Sequence, residues 1–150
     1  MSEMTMKMSE GWAVVATIDP DVYTAAAYLT DAIDMSYYAK VMAVVMAGTL
    51  GASATLDAAA TQATTAAGTY KALSPAKAIT QLTQAGTDQS DLQAIINVDE
   101  HDLDLDNDYR YVKFSMTVGT ATSDAAMIVL GLPKTRPANA NDLASVTEVV

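Results

Sequence analysis

Apolar and polar residues alternate most regularly between residues 109 and 118. One alternate set is apolar after its first member: Arg110, Val112, Phe114, Met116 and Val118. The positions between them are mostly polar or amphipathic. Because successive side chains of a strand point to opposite faces, this pattern predicts a half-buried strand with the apolar set on its core face.

Residues 37–50 form the clearest predicted strand, and its pattern is different because both faces are apolar. Its centre holds five bulky apolar residues: Val41, Met42, Val44, Val45 and Met46. A strand without a polar face is typical of a central strand that is covered on both sides. Gly48 and Gly51 then indicate a turn.

Several further segments complete a series of short strands. Strands are predicted over residues 12–18, 78–84, 92–98 and 125–132, and the stretch 54–65 is ambiguous between helix and strand. Its alanines favour a helix, whereas its threonines and the nearby turns favour a strand. Turn signals recur about every 8–12 residues, which is typical of a sandwich, jelly roll or barrel.

One segment gives conflicting signals. Asp19 followed by Pro20 is a helix-start signal, and apolar residues follow at helical spacing. Ile33 and Met35, however, alternate with polar residues as in a strand. We therefore expect a short helix over residues 21–29 and an extended segment from about residue 30.

Composition narrows the class of protein. The chain has 150 residues, of which 51% are hydrophobic and 17% charged, so a single folded domain is expected rather than a disordered chain. It has no cysteine, which excludes disulfides and thiol chemistry. Its net charge of −10 argues against nucleic-acid and anionic-membrane partners. The longest apolar run, residues 41–47, falls far short of the ~20 residues that span a bilayer.

The two ends of the chain differ from its middle. The first ten residues alternate methionine with polar residues and contain no turn signal, which predicts a flexible arm over residues 1–11. Residues 12–133 would form the β-sandwich, and residues 134–150 a surface tail. Candidate contacts with a partner are the apolar residues of the arm and its border: Met4, Met6, Met8 and Trp12.

The acidic stretch 101–109 is the strongest candidate for a chemical site. An EF-hand loop starting at Asp102 would need Gly where Asn107 stands and Glu where Lys113 stands, so the calcium-loop pattern fails. A strand followed by an Asx turn fits better, with the leucines facing inward and the aspartates facing water. The remaining weak candidates for a Ca²⁺ or Mg²⁺ site are Asp102, Asp104 and Asp106, and no cofactor is expected.

The single histidine, His101, could act as a general base with Asp99 or Glu100 orienting it. The competing interpretation is an exposed histidine beside carboxylates. Since the chain lacks cysteine and a G-x-S-x-G motif, we expect that it is not an enzyme.

Three passages carry a resemblance to a known group of proteins. They are VMAGTLGASATLD at residues 45–57, KAITQLT at 77–83 and YVKFSMTVGTATSD at 111–124. Together they resemble small structural proteins of tailed bacteriophages that are encoded near the major capsid protein, and the likeness extends over about residues 30–132.

This resemblance implies a capsid decoration or cement protein on the outer surface of the virion, with the major capsid protein as its partner. It also implies an all-β, jelly-roll-like sandwich that forms a homotrimer. The group has no catalytic motif, so no functional residues carry over.

Two alternatives stay open. One is another virion component, such as a tail-tube, head–tail joining or fibre protein. The other is a carbohydrate-binding β-sandwich. Such a protein needs exposed tryptophan and tyrosine side chains on one face, and this chain has a single tryptophan, Trp12.

Overall fold

The computed structural model describes residues 5–135 and 137–150. In this part of the chain, two antiparallel sheets pack face to face, which confirms the predicted all-β class. The only α-helix there is α1 (Met8–Gly11). The described strands are β1 (Ala13–Tyr23), β2 (Ala26–Leu29), β3 (Ile33–Asp34), β4 (Tyr38–Ala47), β5 (Thr55–Ala63), β6 (Lys71–Ala72), β7 (Leu82–Thr83), β8 (Gln93–Asp99), β9 (Tyr111–Gly119) and β10 (Ser123–Pro133).

The strand order identifies the architecture. One sheet, here sheet A, has the order β1-β10-β4-β8. The other, sheet B, has the order β2-β9-β5-β6, with β3 also paired to β9 and β7 to β5. If β2 with β3, and β6 with β7, are each taken as one interrupted strand, eight strands wrap in two Greek keys. This is the topology of a jelly roll, so the predicted jelly-roll-like sandwich is confirmed.

The core lies between the two sheets and follows the strand alternation. On β9, the predicted core residues Val112, Phe114, Met116 and Val118 are all buried. On β4, Val41, Ala43, Val45 and Ala47 face the same core. Phe114, Leu56 and Met127 are among its largest fully buried side chains.

The helix predicted over residues 21–29 is wrong. β1 runs through to Tyr23, and β2 follows after a short break. The register with β10 shifts between Ile18 and Asp21, and Pro20 lies in that shift. Because β1 is an edge strand, the missing N–H of proline removes no essential ladder bond, and sheet pairing overrides the helix-start signal.

Two other segments of the sequence are settled by the structure, one as a strand and one mostly as a loop. The ambiguous stretch 54–65 forms β5, whose whole length pairs with β9, and its alternate alanines face the core. The strand predicted over residues 78–84 is wrong over most of its length. Only Leu82–Thr83 pairs as β7, with a single further bridge between Ala78 and Ala59.

The two ends of the described chain meet at the free edge of β1. A 3₁₀-helix, Ala138–Asn141, contacts both α1 and β1, and Ala138 is fully buried. The carboxylate of Asp142 accepts a hydrogen bond from the N–H of Val14 at 2.8 Å. The N–H of Leu143 donates to the carbonyl of Val14 at 2.9 Å. The division into arm, sandwich and tail stays a prediction, but the tail residues named here cover a sheet edge.

No helix within the described ranges is long and apolar enough to cross a membrane.

Candidate interaction surface

The outer face of sheet A is apolar, although sheet B covers only its inner face. On the central strand β4, Met42, Val44 and Met46 point away from the core. The prediction that this strand is covered on both sides is therefore met on one side only. We call the outward set the apolar face; it consists of Val14, Met42, Val44, Met46, Ile95, Ala126, Ile128 and Leu130.

Strand register brings these side chains together in rows. Val44 is opposite Ile95 on one side and Ile128 on the other. The next row joins Met42 to Leu130 and Leu130 to Val14. The eight residues lie on four strands and in three rows. At ~4.8 Å between strands and ~7 Å between rows, they occupy roughly 300 Å² of the sheet. Ile95 is 57% exposed and Met46 is 46% exposed, and the other six members are half-buried, so the face is most accessible at these two residues.

An acidic rim borders one end of the apolar face. Asp21, Asp91 and Asp124 line an open depression together with Val22 and Met46. None of these three carboxylates forms an ion pair with a lysine or arginine of the described chain. Uncompensated negative charge beside apolar surface creates a field that attracts a cationic partner.

An apolar groove borders the opposite end. It is lined by Met8 and Trp12 from the N-terminal part and by Val146 and Val149 from the C-terminal part, next to Leu130. Two of the predicted contact residues therefore lie beside the apolar face. Met8 is strongly exposed, whereas Trp12 is half-buried. Met6 belongs to the described part of the chain, and Met4 lies outside it.

The outer face of sheet B has a different character. Its outward positions on the two central strands, β5 and β9, are small, polar or amphipathic: Thr55, Asp57, Ala59, Thr61, Tyr111, Lys113, Ser115 and Thr117. The carboxylate of Asp57 accepts a hydrogen bond from Gln81 at 2.7 Å. This face is the one that resembles an ordinary solvated sheet surface.

The acidic stretch does not form the predicted strand. Residues Glu100–Asp102 and Leu105–Asn107 are two 3₁₀-helices. Leu103 is buried as expected, but Leu105 is exposed. Local side-chain bonds compete with strand pairing here, since the carboxylate of Asp102 accepts from the N–H of Asp99 at 2.8 Å. The predicted turn into β9 is confirmed, with Asp108 in the left-handed region at φ 62°.

Two of the three candidate metal ligands pair with separate lysines. Asp102 pairs with Lys77 at 3.4 Å, and Asp104 pairs with Lys71 at 2.8 Å. The hydrogen bond from Lys71 lowers the pKa of the Asp104 carboxyl. Asp106 is exposed. Across residues 5–135 and 137–150, no group of three or more acidic, histidine or cysteine side chains is placed to hold a metal ion.

His101 is not oriented as a catalytic base. The carboxylate of Asp99 accepts a hydrogen bond from the backbone N–H of His101, at 3.1 Å, rather than from the imidazole of that residue. That backbone bond is the main reason why the pKa of Asp99 is lowered. The side chain of His101 is exposed on a 3₁₀-helix. The sequence alone singled out these acidic residues, whereas the extended apolar face was signalled only by the two-sided pattern of β4.

Comparisons with known proteins add little to this description. No protein-family model matches the chain, and no curated protein matches it. Among solved structures, the chain is similar to a chain in the cryo-EM structure of Broad Bean Stain Virus. The identity is 14% and the TM-score 0.35, with 75% of this chain covered. The match spans 59% of the length of the viral chain. At this level, the similarity carries no argument about function, and the jelly-roll assignment is based on strand order.

Proposed function

We propose that this chain is a virion structural protein that binds the outer surface of a tailed-phage head through the apolar face of sheet A. The observation that carries the proposal is the contrast between the two outer faces. The largest apolar patch on a monomer is often functional at this size, and here polar residues border it. A jelly roll alone would not support the proposal, because the fold serves many functions.

The partner in this proposal is the major capsid protein. A standard interface buries about 800 Å² on each side, so the apolar face of roughly 300 Å² would form its core. The acidic rim would form part of the polar border and would face lysines or arginines of the shell. The opposite groove, with Met8 and Trp12, would extend the contact.

Charge supports a position outside the shell. A chain with a net charge of −10 is repelled by packaged DNA. On the outer surface, one copy would bridge neighbouring capsid subunits. Many weak copies then resist internal pressure together, because each bridge is held by more than one contact.

Two parts of the proposal come from the resemblance to phage structural proteins. These are the decoration role itself, as opposed to a tail or head–tail position, and the homotrimer. Carbohydrate binding receives less support, because the outer face of sheet A presents aliphatic and methionine side chains where sugar stacking needs exposed aromatic rings.

Co-sedimentation with expanded phage shells that lack this protein tests the proposal. The wild-type chain is expected to bind saturably, at a fixed ratio to the major capsid protein. Met46→Lys, on the apolar face, should weaken binding at least tenfold, since it inserts a charge into an apolar contact. Thr117→Lys adds the same charge to the outer face of sheet B, opposite Asp57, and should bind like the wild type.

Equal binding by the two variants would refute the role of the apolar face. If the wild-type chain fails to bind shells and instead forms rings or tubes in electron micrographs, the protein belongs to the tail.

A further inference from the structure

The four sheet edges of this fold are protected to different degrees. The edge strand β1 has two register shifts, contains Pro20 and is covered by Asp142 and Leu143. In sheet B, the edge strand β2 has four residues, and β6 and β7 have two each. β8 has seven residues in uninterrupted register with β4. It contains no proline or lysine, which are the usual protections of an exposed edge.

The direction of the free backbone groups follows from the hydrogen-bond pattern. The N–H of Ala47 donates to the carbonyl of Leu92, which makes these two residues a hydrogen-bonded pair. Hydrogen-bonded pairs alternate with non-hydrogen-bonded pairs along an antiparallel ladder. The even-numbered residues of β8 therefore bond to β4, while Gln93, Ile95 and Asn97 direct their N–H and carbonyl groups away from the sheet.

One end of this edge is closed and the rest is open. The outward N–H of Asp99 is bound by the carboxylate of Asp102 at 2.8 Å. Within the described chain, no hydrogen bond reaches the outward groups of Gln93, Ile95 or Asn97. The side chains of these three residues are also exposed. An added strand would place its own side chains beside Ile95 and so continue the apolar face.

Charge distinguishes between the possible occupants. A two-fold pairing of β8 with a second copy, centred on Ile95, would bring the acidic ends of the two strands together, with Asp91, which precedes β8, near Asp99 of the other copy. Like charges brought close together destabilise such a pair, although Lys40 offsets part of the charge of Asp99. Asp91 also belongs to the unpaired acidic rim, together with Asp21 and Asp124. The edge is thus better suited to an extended segment that carries lysine or arginine.

We propose that residues 93–97 of β8 accept an extended, cationic segment of the protein partner as a fifth strand of sheet A. The inference rests on the proposed function, since it supplies the way in which the partner of the apolar face is held. Backbone hydrogen bonds would provide affinity, and the acidic rim would select the flanking charges.

Amide NMR of the full-length labelled chain tests this proposal directly. The probe is a short capped peptide with an alternating Val-Thr core between pairs of lysines. It is expected to shift the amide signals of Gln93, Ile95 and Asn97 and to slow their hydrogen exchange. A peptide with glutamates in place of the lysines should leave these signals unchanged.

Two variants of one residue separate backbone pairing from side-chain contact. Ile95→Pro removes an outward N–H without removing a bond to β4, and such edge positions tolerate proline. Ile95→Ala loses the same side-chain contact but keeps the N–H. We expect Ile95→Pro to weaken peptide binding at least tenfold and Ile95→Ala no more than threefold. If Ile95→Pro fails to fold, a peptide N-methylated at its core valines takes its place and should lose binding.

Three results would overturn the inference. They are no response of β8 amides at millimolar peptide, equal weakening by the two variants, and concentration-dependent shifts of β8 amides without peptide, which would indicate self-pairing. Co-sedimentation with shells separates this inference from the proposed function. If the wild-type chain fails to bind shells, the proposed function fails, whereas the peptide titration still decides whether β8 accepts a strand.

Discussion

The two outer faces of this sandwich differ, although both sheets follow the same alternation on their inner faces. Sheet A presents Met42, Val44 and Ile128 outward, whereas sheet B presents Asp57 and Thr117 at equivalent outward positions. Folding requires only that the inner faces be apolar, because only these are buried in the monomer. Under the proposed function, the apolar outer face of sheet A serves binding rather than folding.

Some of the carboxylates follow the same division, although Lys40 pairs with Asp99 in sheet A and Asp57 of sheet B has no cationic partner among the described residues. Near sheet B and the 3₁₀-helices, Asp34 pairs with Arg110 and Asp104 pairs with Lys71. At the apolar face, Asp91 and Asp124 have no cationic partner among the described residues. Under the proposed function, the uncompensated carboxylates of the rim would attract a cationic partner.

Two adjacent valines of β4 provide the largest expected effect. Val45 is fully buried between the sheets, and Val44 lies on the apolar face. Val45→Thr should lower the free energy of unfolding by about 1–3 kcal/mol, because it buries a hydroxyl of nearly the same shape without an assured partner. Val44→Thr should change it by less than about 0.5 kcal/mol. Urea denaturation measures both, and equal losses would mean that the outer face also belongs to the folding core.

The acidic rim is expected to contribute a smaller effect, seen only in binding. Asp91→Asn and Asp124→Asn should each weaken attachment to shells by roughly two- to fivefold at low salt. Asn suits position 91, where φ is 61°. Asp57→Asn, on the outer face of sheet B, is the control and should bind like the wild type.

Binding isotherms at low and high salt show whether the rim aspartates act through their charge. The difference between rim variants and wild type should vanish at high salt, because exposed charges are then screened. A difference that persists at high salt would mean that the aspartates act through local structure instead.

The smallest effect concerns the neutralised carboxylates on the side of sheet B. Burial acts to raise the pKa of Asp34, but hydrogen bonds from Arg110 and Ser36 outweigh it and leave the pKa below its usual value. A carboxyl with a lowered folded-state pKa contributes stability above its unfolded pKa of about 3.9, and that contribution is lost as pH falls through the folded-state value. Asp34→Asn should therefore be less stable than wild type at pH 6, with the difference shrinking toward pH 2.

Thermal unfolding between pH 2 and pH 6 measures this difference. A constant gap between Asp34→Asn and the wild type across the range would show that the pair with Arg110 makes no ionic contribution.

The sequence predicted those strands whose alternation of apolar and polar residues is visible within the strand itself. β9 was assigned with its correct core face, since Val112 to Val118 alternate without interruption. The segment 21–29 was misread because Pro20 is a helix-start residue in isolation and an edge-strand residue only once β1 pairs with β10. The strand predicted over residues 102–106 is wrong because the carboxylate of Asp102 accepts a hydrogen bond from the nearby N–H of Asp99. An alternation pattern does not reveal such local bonds.

The candidate site was predictable only in part. Met8 and Trp12 could be proposed from composition, and β4 showed two apolar faces. The rest of the apolar face requires knowledge of which strands are neighbours. Val44 and Ile95 are far apart in sequence and adjacent only through sheet register. The open edge of β8 depends likewise on strand order, which short-range patterns do not contain.

Footprinting of the bound chain tests the central claim most directly. The chain is oxidised by hydroxyl radicals, free and attached to expanded shells, and each side chain is followed by mass spectrometry. The account predicts that Met46, on the apolar face, loses most of its reactivity on binding, while Tyr111, on the outer face of sheet B, keeps its reactivity. Protection of Tyr111 with an unchanged Met46 would contradict the account, because the partner would then cover the polar face.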